Sequence, residues 1–234
     1  MMNIAVFGAH GPTGQLVTKQ ALAEGHRVTA VTRHPETFPF RHDQLHVMHA
    51  DVFDLASVDR AVAGQDAVLS TLGVPFTRKP ITVYSQGIAH IVQTMHPYGV
   101  RRLVCVSSSA IGPDHDTGAG FVFDKILQPI IISTLGKTTY ADMSRMEGLV
   151  MNSHLDWVIV RPSGLFETPV VTDYLVAETH IRGQFTSRID LADFMLRQLT
   201  HDQYLHKAMA VATFSMLPGM LQFLMQEAFK KPNS

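Results

Sequence analysis

The eight residues GAHGPTGQ (Gly8–Gln15) follow directly on the apolar run NIAVF and constrain the fold more than any other stretch. Three glycines recur at a spacing of three where a first strand has to end and a helix has to begin. A turn this tight needs backbone angles that a β-carbon forbids, and Gly8 supplies them. Gly11 lets the chain approach a bound pyrophosphate, and Gly14 lets the helix pack closely on the strand. The helix N-terminus then offers unpaired N–H groups and a partial positive charge to phosphate oxygens. The loop reads as a nucleotide site made by Gly8, His10, Gly11, Pro12, Thr13 and Gly14. Thr13 is placed either to bring a hydroxyl to the phosphates or to cap the helix. His10 either touches the pyrophosphate or faces water.

Downstream, apolar runs alternate with helical patterns. Strands are expected at 3–9, 26–33, 45–51, 66–73, 100–110 and 154–164, and helices at 13–25, 55–64 and 81–99. Short apolar strands separated by helices mean βαβ units. The fold class is therefore α/β, a doubly wound, mostly parallel sheet with helices on both faces. An amphipathic helix is expected at 190–199, a late strand at 207–214 and a closing helix at 216–231, interrupted early by Pro218-Gly219. That closing helix, rich in Met, Leu and Phe, either packs on its own core or presents an oligomer or membrane-surface face; a homodimer would form through this C-terminal third. The chain reads as a single domain over 1–234, with 165–234 forming a small substrate-side and C-terminal helical region.

Composition narrows the function classes. With 19 Lys and Arg against 20 Asp and Glu, the formal charge is −1, so no global basic field holds a nucleic-acid backbone. The single cysteine, Cys105, excludes an intrachain disulfide and a cysteine zinc cluster, and its apolar run makes it a core residue. The 13 histidines contain no HExxH pattern, and His46 and His49 fall on opposite sides of a strand, so no metal site is expected. No signal peptide opens the sequence and no apolar run reaches the roughly 18 residues of a membrane span. The expected location is the cytoplasm.

The end of strand two decides which dinucleotide the loop takes. NAD binders place a carboxylate there for the ribose hydroxyls. This chain has VTRHP, with Arg33 and His34 at that point. A guanidinium pairs with a 2′-phosphate that a carboxylate would repel. The expected cofactor is NADP(H), preferred over NAD(H). Asp51 and the Val52 N–H, just past strand three, fall beside the adenine. Thr71, Leu72 and Gly73, ending strand four, flank the ribose and diphosphate.

These residues resemble a family. The G-x-x-G-x-x-G spacing of GAHGPTGQ is that of short-chain dehydrogenase/reductase-like proteins. ADVFDLASVDRAVAGQDAVLSTLG resembles their third-strand, helix and fourth-strand run, and GVRRLVCVSSSAIG their fifth strand. EGLVMNSHLDWVIVRPSGL is similar to a segment of the atypical branch, which includes biliverdin-IXβ/flavin reductase-like and NmrA-like proteins. The resemblance covers roughly residues 3–200 and implies a Rossmann-like fold. The chain departs from the family in lacking Tyr-x-x-x-Lys, whose Tyr supplies a proton. Tyr140 has Ser144 four residues on, and alignment on Glu147 puts Thr139 and Met143 at the two positions. Epimerase and ordinary alcohol dehydrogenase readings lose their support.

Hydride transfer needs an oriented acceptor more than a protein acid. The resemblance places a serine at the end of strand five by the nicotinamide, so Ser107 and Ser108 are candidate catalytic residues, followed by Ser109, with Tyr140 as a further substrate-site hydroxyl. It also places Pro162 and Ser163 near the carboxamide; Arg161 is expected to pair internally. Segment 111–136 is either a lid and pocket wall or simple packing. The resulting expectation is an NADPH-dependent reductase passing hydride to a small flat acceptor of flavin, quinone or tetrapyrrole type. The alternative is a non-catalytic NADP(H) sensor of NmrA-like type, and an isomerase retaining its cofactor is a third reading.

Overall fold

The computed structural model describes residues 1–75, 77, 79–111 and 136–218. Eight strands form its main sheet: β1 (Asn3–Phe7), β2 (Arg27–Thr32), β3 (Leu45–His49), β4 (Ala67–Ser70), β5 (Arg102–Val106), β6 (Asp156–Pro162), β8 (Leu175–Glu178) and β10 (Lys207–Ala212). Their order is β3-β2-β1-β4-β5-β6-β10-β8. All neighbours are parallel except β8, which runs antiparallel to β10. β7 (Gly164–Phe166) and β9 (Phe185–Ser187) make a separate parallel pair. The described helices are α1 (Pro12–Ala23), α2 (Leu55–Val62), α3 (Val83–Met95), α4 (Lys137–Met151) and α5 (Arg188–Arg197).

Strand alternation splits the core in two. Ile4 and Val6 of β1 pack with Val17 and Ala21 of α1 and Leu191 and Met195 of α5. Ala5 and Phe7 point the other way, onto Val58 of α2, Ile88 of α3 and Met146 of α4. This is the doubly wound α/β class expected from the sequence. Cys105 is fully buried in the second core, and burial pushes its thiol far above the usual range. It is a packing residue.

From β1 the chain winds out to β2 and β3, then returns to β4 on the other side of β1 and continues to β5 and β6. The loops after β1 and β4 therefore diverge, and in such sheets the crevice between them takes the ligand. Each helix that leads into a parallel strand begins at the carboxyl edge. α4 and α5 share this direction, which brings their first turns to the same edge as the glycine loop.

Two parts of the architecture were not anticipated. The sequence reading assigned no helix over 137–151, and it missed the short strands β7, β8 and β9. The proposed lid over 111–136 falls outside the described residues at 112–135, and the closing helix over 216–231 does so from 219 onward. Among the described residues no helix is long and apolar enough to cross a membrane, and no group of three side chains could hold a metal ion.

Candidate functional site

The glycine loop is built around two contacts. Gly8 has φ +77°, and a β-carbon there would lie 2.6 Å from the Thr71 carbonyl oxygen. A β-carbon on Gly14 would overlap the Gly8 carbonyl and come 2.7 Å from the Ala9 Cα. Gly11 differs. Its φ is −69°, and the nearest atom to a β-carbon would be the Gly8 oxygen at 3.4 Å. The fold itself needs glycine at 8 and 14, while at Gly11 a β-carbon would make only this one contact.

α1 opens with Gly11 as its N-cap and Pro12 as its first residue; no side chain caps it and its first turn holds no acidic residue. The capping alternative for Thr13 is thus corrected: Thr13 already lies inside the helix. Its Oγ1 instead accepts from Nη1 of Arg188 at 3.2 Å. His10 sets its ring edge-on to Phe38, 6.1 Å between centroids, and its Nδ1 is buried without a protein partner.

The neighbouring strand ends lie along the same edge. The Thr71 N–H and hydroxyl both donate to the Phe7 carbonyl, at 2.9 and 3.0 Å, which pins the end of β4 beside the glycine loop. Gly87 of α3 packs so tightly that a β-carbon would come 2.9 Å from Leu72 and 3.2 Å from Val52. Gly73 is exposed. Asp51 Oδ1 accepts from the Phe53 N–H at 3.0 Å, a local turn that holds the carboxylate at the end of β3. Arg33 and His34 are exposed after β2, with His34 Nδ1 3.6 Å from a Glu36 carboxylate oxygen.

Beyond β4, two buried hydroxyls stand out. The Ser107 N–H donates to the Val160 carbonyl at 2.7 Å, while its Oγ is buried with no hydrogen-bond partner. Thr139, in the first turn of α4, is 2% exposed and its Oγ1 also lacks a partner. The short helical turn Ser109–Ile111 packs against both α4 and β6, joining the two regions. Buried polar atoms are nearly always satisfied, so such orphans call for a reason. Ser108 is partly satisfied, its Oγ accepting from the Ala110 N–H at 3.2 Å. Tyr140 folds its partly buried ring over Gly136 and against the second core. Pro162 is buried at the end of β6. Ser163 spends both donors internally, N–H to Thr186 Oγ1 at 2.9 Å and O–H to the Gly183 carbonyl at 2.8 Å. Arg161 pairs with Glu147, as expected.

Three supporting residues escaped sequence reading. Asp142 of α4 is fully buried and accepts from the Tyr84 N–H at 2.9 Å and from the Ser85 hydroxyl, so a carboxylate from one helix neutralises the N-terminus of α3. Tyr84 in turn accepts from the Val74 N–H at 3.3 Å, and burial pushes its phenol up to about 12. Arg188 could have been found as an arginine on the apolar stripe of the 190–199 pattern, one turn upstream of Leu191 and Ala192.

Comparison with known proteins bears on the family and the fold. Residues 8–202 match the model of a family described as NAD(P)H-binding. The fold is similar to a short-chain dehydrogenase/reductase of wide type from Veillonella parvula, solved in complex with NADP. The TM-score is 0.75 at 18% identity, over 92% of this chain and 96% of that one. It is also similar to the oxidoreductase ylbE from Lactococcus lactis (TM-score 0.73, 18% identity, 91% of both chains). A third similar structure is ChuY, an anaerobilin reductase from Escherichia coli (TM-score 0.72, 19% identity, 93% of this chain and 100% of that one). At these identities the structures share the fold.

Proposed function

The chain belongs to the NAD(P)H-binding family, and from that premise we propose that it is an NADPH-dependent reductase that passes hydride to a small flat acceptor of flavin, quinone or tetrapyrrole type. The observation that carries the reading is the buried, unpartnered Ser107 Oγ at the end of β5. A ligand hydrogen bond would resolve it. The structural neighbours lean the same way, one solved with NADP and another described as a reductase.

The cofactor, when bound, supplies the hydride. The chain's residues divide the remaining work. The first-turn N–H groups of α1 at Thr13 and Gly14, with the Thr13 hydroxyl, hold the diphosphate. Arg33 and His34 take the 2′-phosphate, with Arg33 at the position after β2 where NAD binders carry a carboxylate. Asp51 and Val52 border the adenine, Thr71 to Gly73 the ribose, and Pro162 the carboxamide. Ser107 orients the acceptor, with Ser108 and Tyr140 as the further hydroxyls near it.

A second reading, a sensor that binds NADP(H) without turnover, is favoured by one observation. Thr139 and Met143 stand at the Tyr and Lys positions, and the Met143 side chain packs in the core. The deciding experiment follows nicotinamide absorbance of NADPH with the purified protein and a panel of FMN, quinones and biliverdin. Acceptor-dependent loss of absorbance is the expected result. Saturable binding with no loss for any acceptor would replace the reductase by the sensor.

A further inference from the structure

The outer edge of the sheet carries a cleft that shares no lining residue with the glycine loop or with the ends of β4, β5 and β6. It lies between the entry to β8, the last turn of α5 and the loop at 201–204, and holds about 420 Å³, within the roughly 300–1,000 Å³ of small-molecule sites. β8 stands five places from β1 in the sheet, about 24 Å at ordinary strand spacing. The walls are aromatic and held in place. Tyr174 stands edge-on to Phe194, 6.3 Å between centroids, and Phe194 is tilted against Tyr204 at 5.8 Å. The Tyr174 hydroxyl donates to Asp193, whose carboxylate also accepts from Arg197 Nε at 2.8 Å. Two residues earlier, Thr172 gives its N–H and its hydroxyl to the buried Asp190 carboxylate, both at 2.7 Å. Two carboxylates of α5 thus fasten this wall from behind. Gln198, the C-cap of α5, lines the cleft and is 2% exposed. Its Nε2 donates to the Phe194 carbonyl at 2.8 Å, which fixes the way the amide points, and its Oε1 is buried without a hydrogen-bond partner.

We propose that this cleft is a second small-molecule site, for a flat, uncharged nitrogen heterocycle that presents an N–H to Gln198 Oε1. The inference does not depend on the NADP(H) reading above. The class of ligand follows from the lining. Three aromatic side chains favour a planar ring among them. An amide oxygen only accepts, so the partner missing from Gln198 is a donor. A buried acceptor without a donor is costly, and a ligand N–H removes that cost. The charges beside the aromatic wall, Arg197 and Asp193, already neutralise each other, so the ring itself needs none. Asp173 and His201, the other titratable groups of the lining, are exposed and solvated.

The test titrates the full, isotope-labelled chain with uracil and with its fully N-methylated analogue, the same ring without N–H donors, while backbone and side-chain amide signals are followed by NMR. Uracil should shift the signals of 172–176 and 194–204 saturably, with a dissociation constant on the order of 1 mM, ordinary for so small a ligand. The methylated ring should bind at least about fivefold more weakly, the worth of one net hydrogen bond. Gln198→Met, which keeps the length of the side chain without the acceptor, should weaken uracil by about the same factor and leave the methylated ring unchanged. No saturable shift with uracil up to about 10 mM overturns the site, as do shifts confined to the glycine loop and the ends of β4 and β5. Equal affinity for the two rings, or uracil binding that Gln198→Met leaves unchanged, overturns the assignment of the N–H to Gln198. Should that variant not fold, the comparison of the two rings on wild type decides. NADPH binding is a separate measurement, so a chain that binds uracil here and no nicotinamide nucleotide would overturn the proposed function and leave this site standing.

Discussion

Arg161 and Glu147 face each other across two parallel hydrogen bonds, Nε to Oε1 at 2.9 Å and Nη2 to Oε2 at 2.6 Å, with side chains only 9% and 5% exposed. The pair clamps β6 to α4, and so holds the helix that carries Thr139 against the strand that ends at Pro162.

Breaking that clamp from one side leaves a charge buried alone. Glu147→Leu or Arg161→Met should each cost about 3–5 kcal/mol, and the double variant much less than their sum. Denaturant unfolding of the four proteins measures this. Additive losses would mean that the two side chains act separately.

The glycines of the loop should separate folding from binding. Gly14→Ala forces a β-carbon into the Gly8 carbonyl and should destabilise the chain strongly. Gly11→Ala meets only the Gly8 oxygen at 3.4 Å, so its melting temperature should stay near wild type while NADPH affinity falls. Thermal melts beside a binding titration check both, and an unfolded Gly11→Ala would refute the distinction.

Ser107→Ala and Thr139→Val remove hydroxyls that satisfy nothing within the protein. Stability should hold or rise slightly, since an unsatisfied buried group is itself costly. Turnover should drop, by about tenfold for Ser107→Ala if its hydroxyl supplies one acceptor bond. Steady-state kinetics with melting curves on the same preparations would expose the opposite pattern, lost stability with unchanged kcat.

Tyr84 predicts an alkaline weakness. Burial lifts its phenol from the ordinary 10.0 to about 12, so the folded chain holds a proton that the unfolded chain releases sooner. This contribution is complete below pH 10 and is lost as pH rises from about 10 to about 12. Over that window the urea midpoint of wild type should fall faster than that of Tyr84→Phe. Parallel slopes would remove Tyr84 from the account.

The legible parts of the molecule were those written in local pattern. The apolar runs of β1, β2, β4, β5 and β6 are largely buried on both faces and read as strands without help from neighbours, and the glycine loop declares its own turn. α4 was hidden because its buried face mixes Met143, Met146 and Val150 with the polar Thr139, Asp142 and Glu147, the last two of which are partnered from α3 and β6. Such polar residues erase the apolar period that marks a helix. β8 is four residues long, half exposed, and made a strand by its antiparallel pairing with β10 some thirty residues later. Arg188 was passed over because a charge at a helix start ordinarily faces water, and only the packing of α5 on α1 shows that it does not.

The most direct test is a titration of wild type and Arg33→Asp with NADPH and NADH. Wild type should bind NADPH more tightly than NADH, and Arg33→Asp should lose roughly tenfold or more of its NADPH affinity while NADH changes little. Equal losses for both nucleotides would contradict the role of Arg33, and wild type that binds neither would contradict the reading of the carboxyl edge as a dinucleotide site.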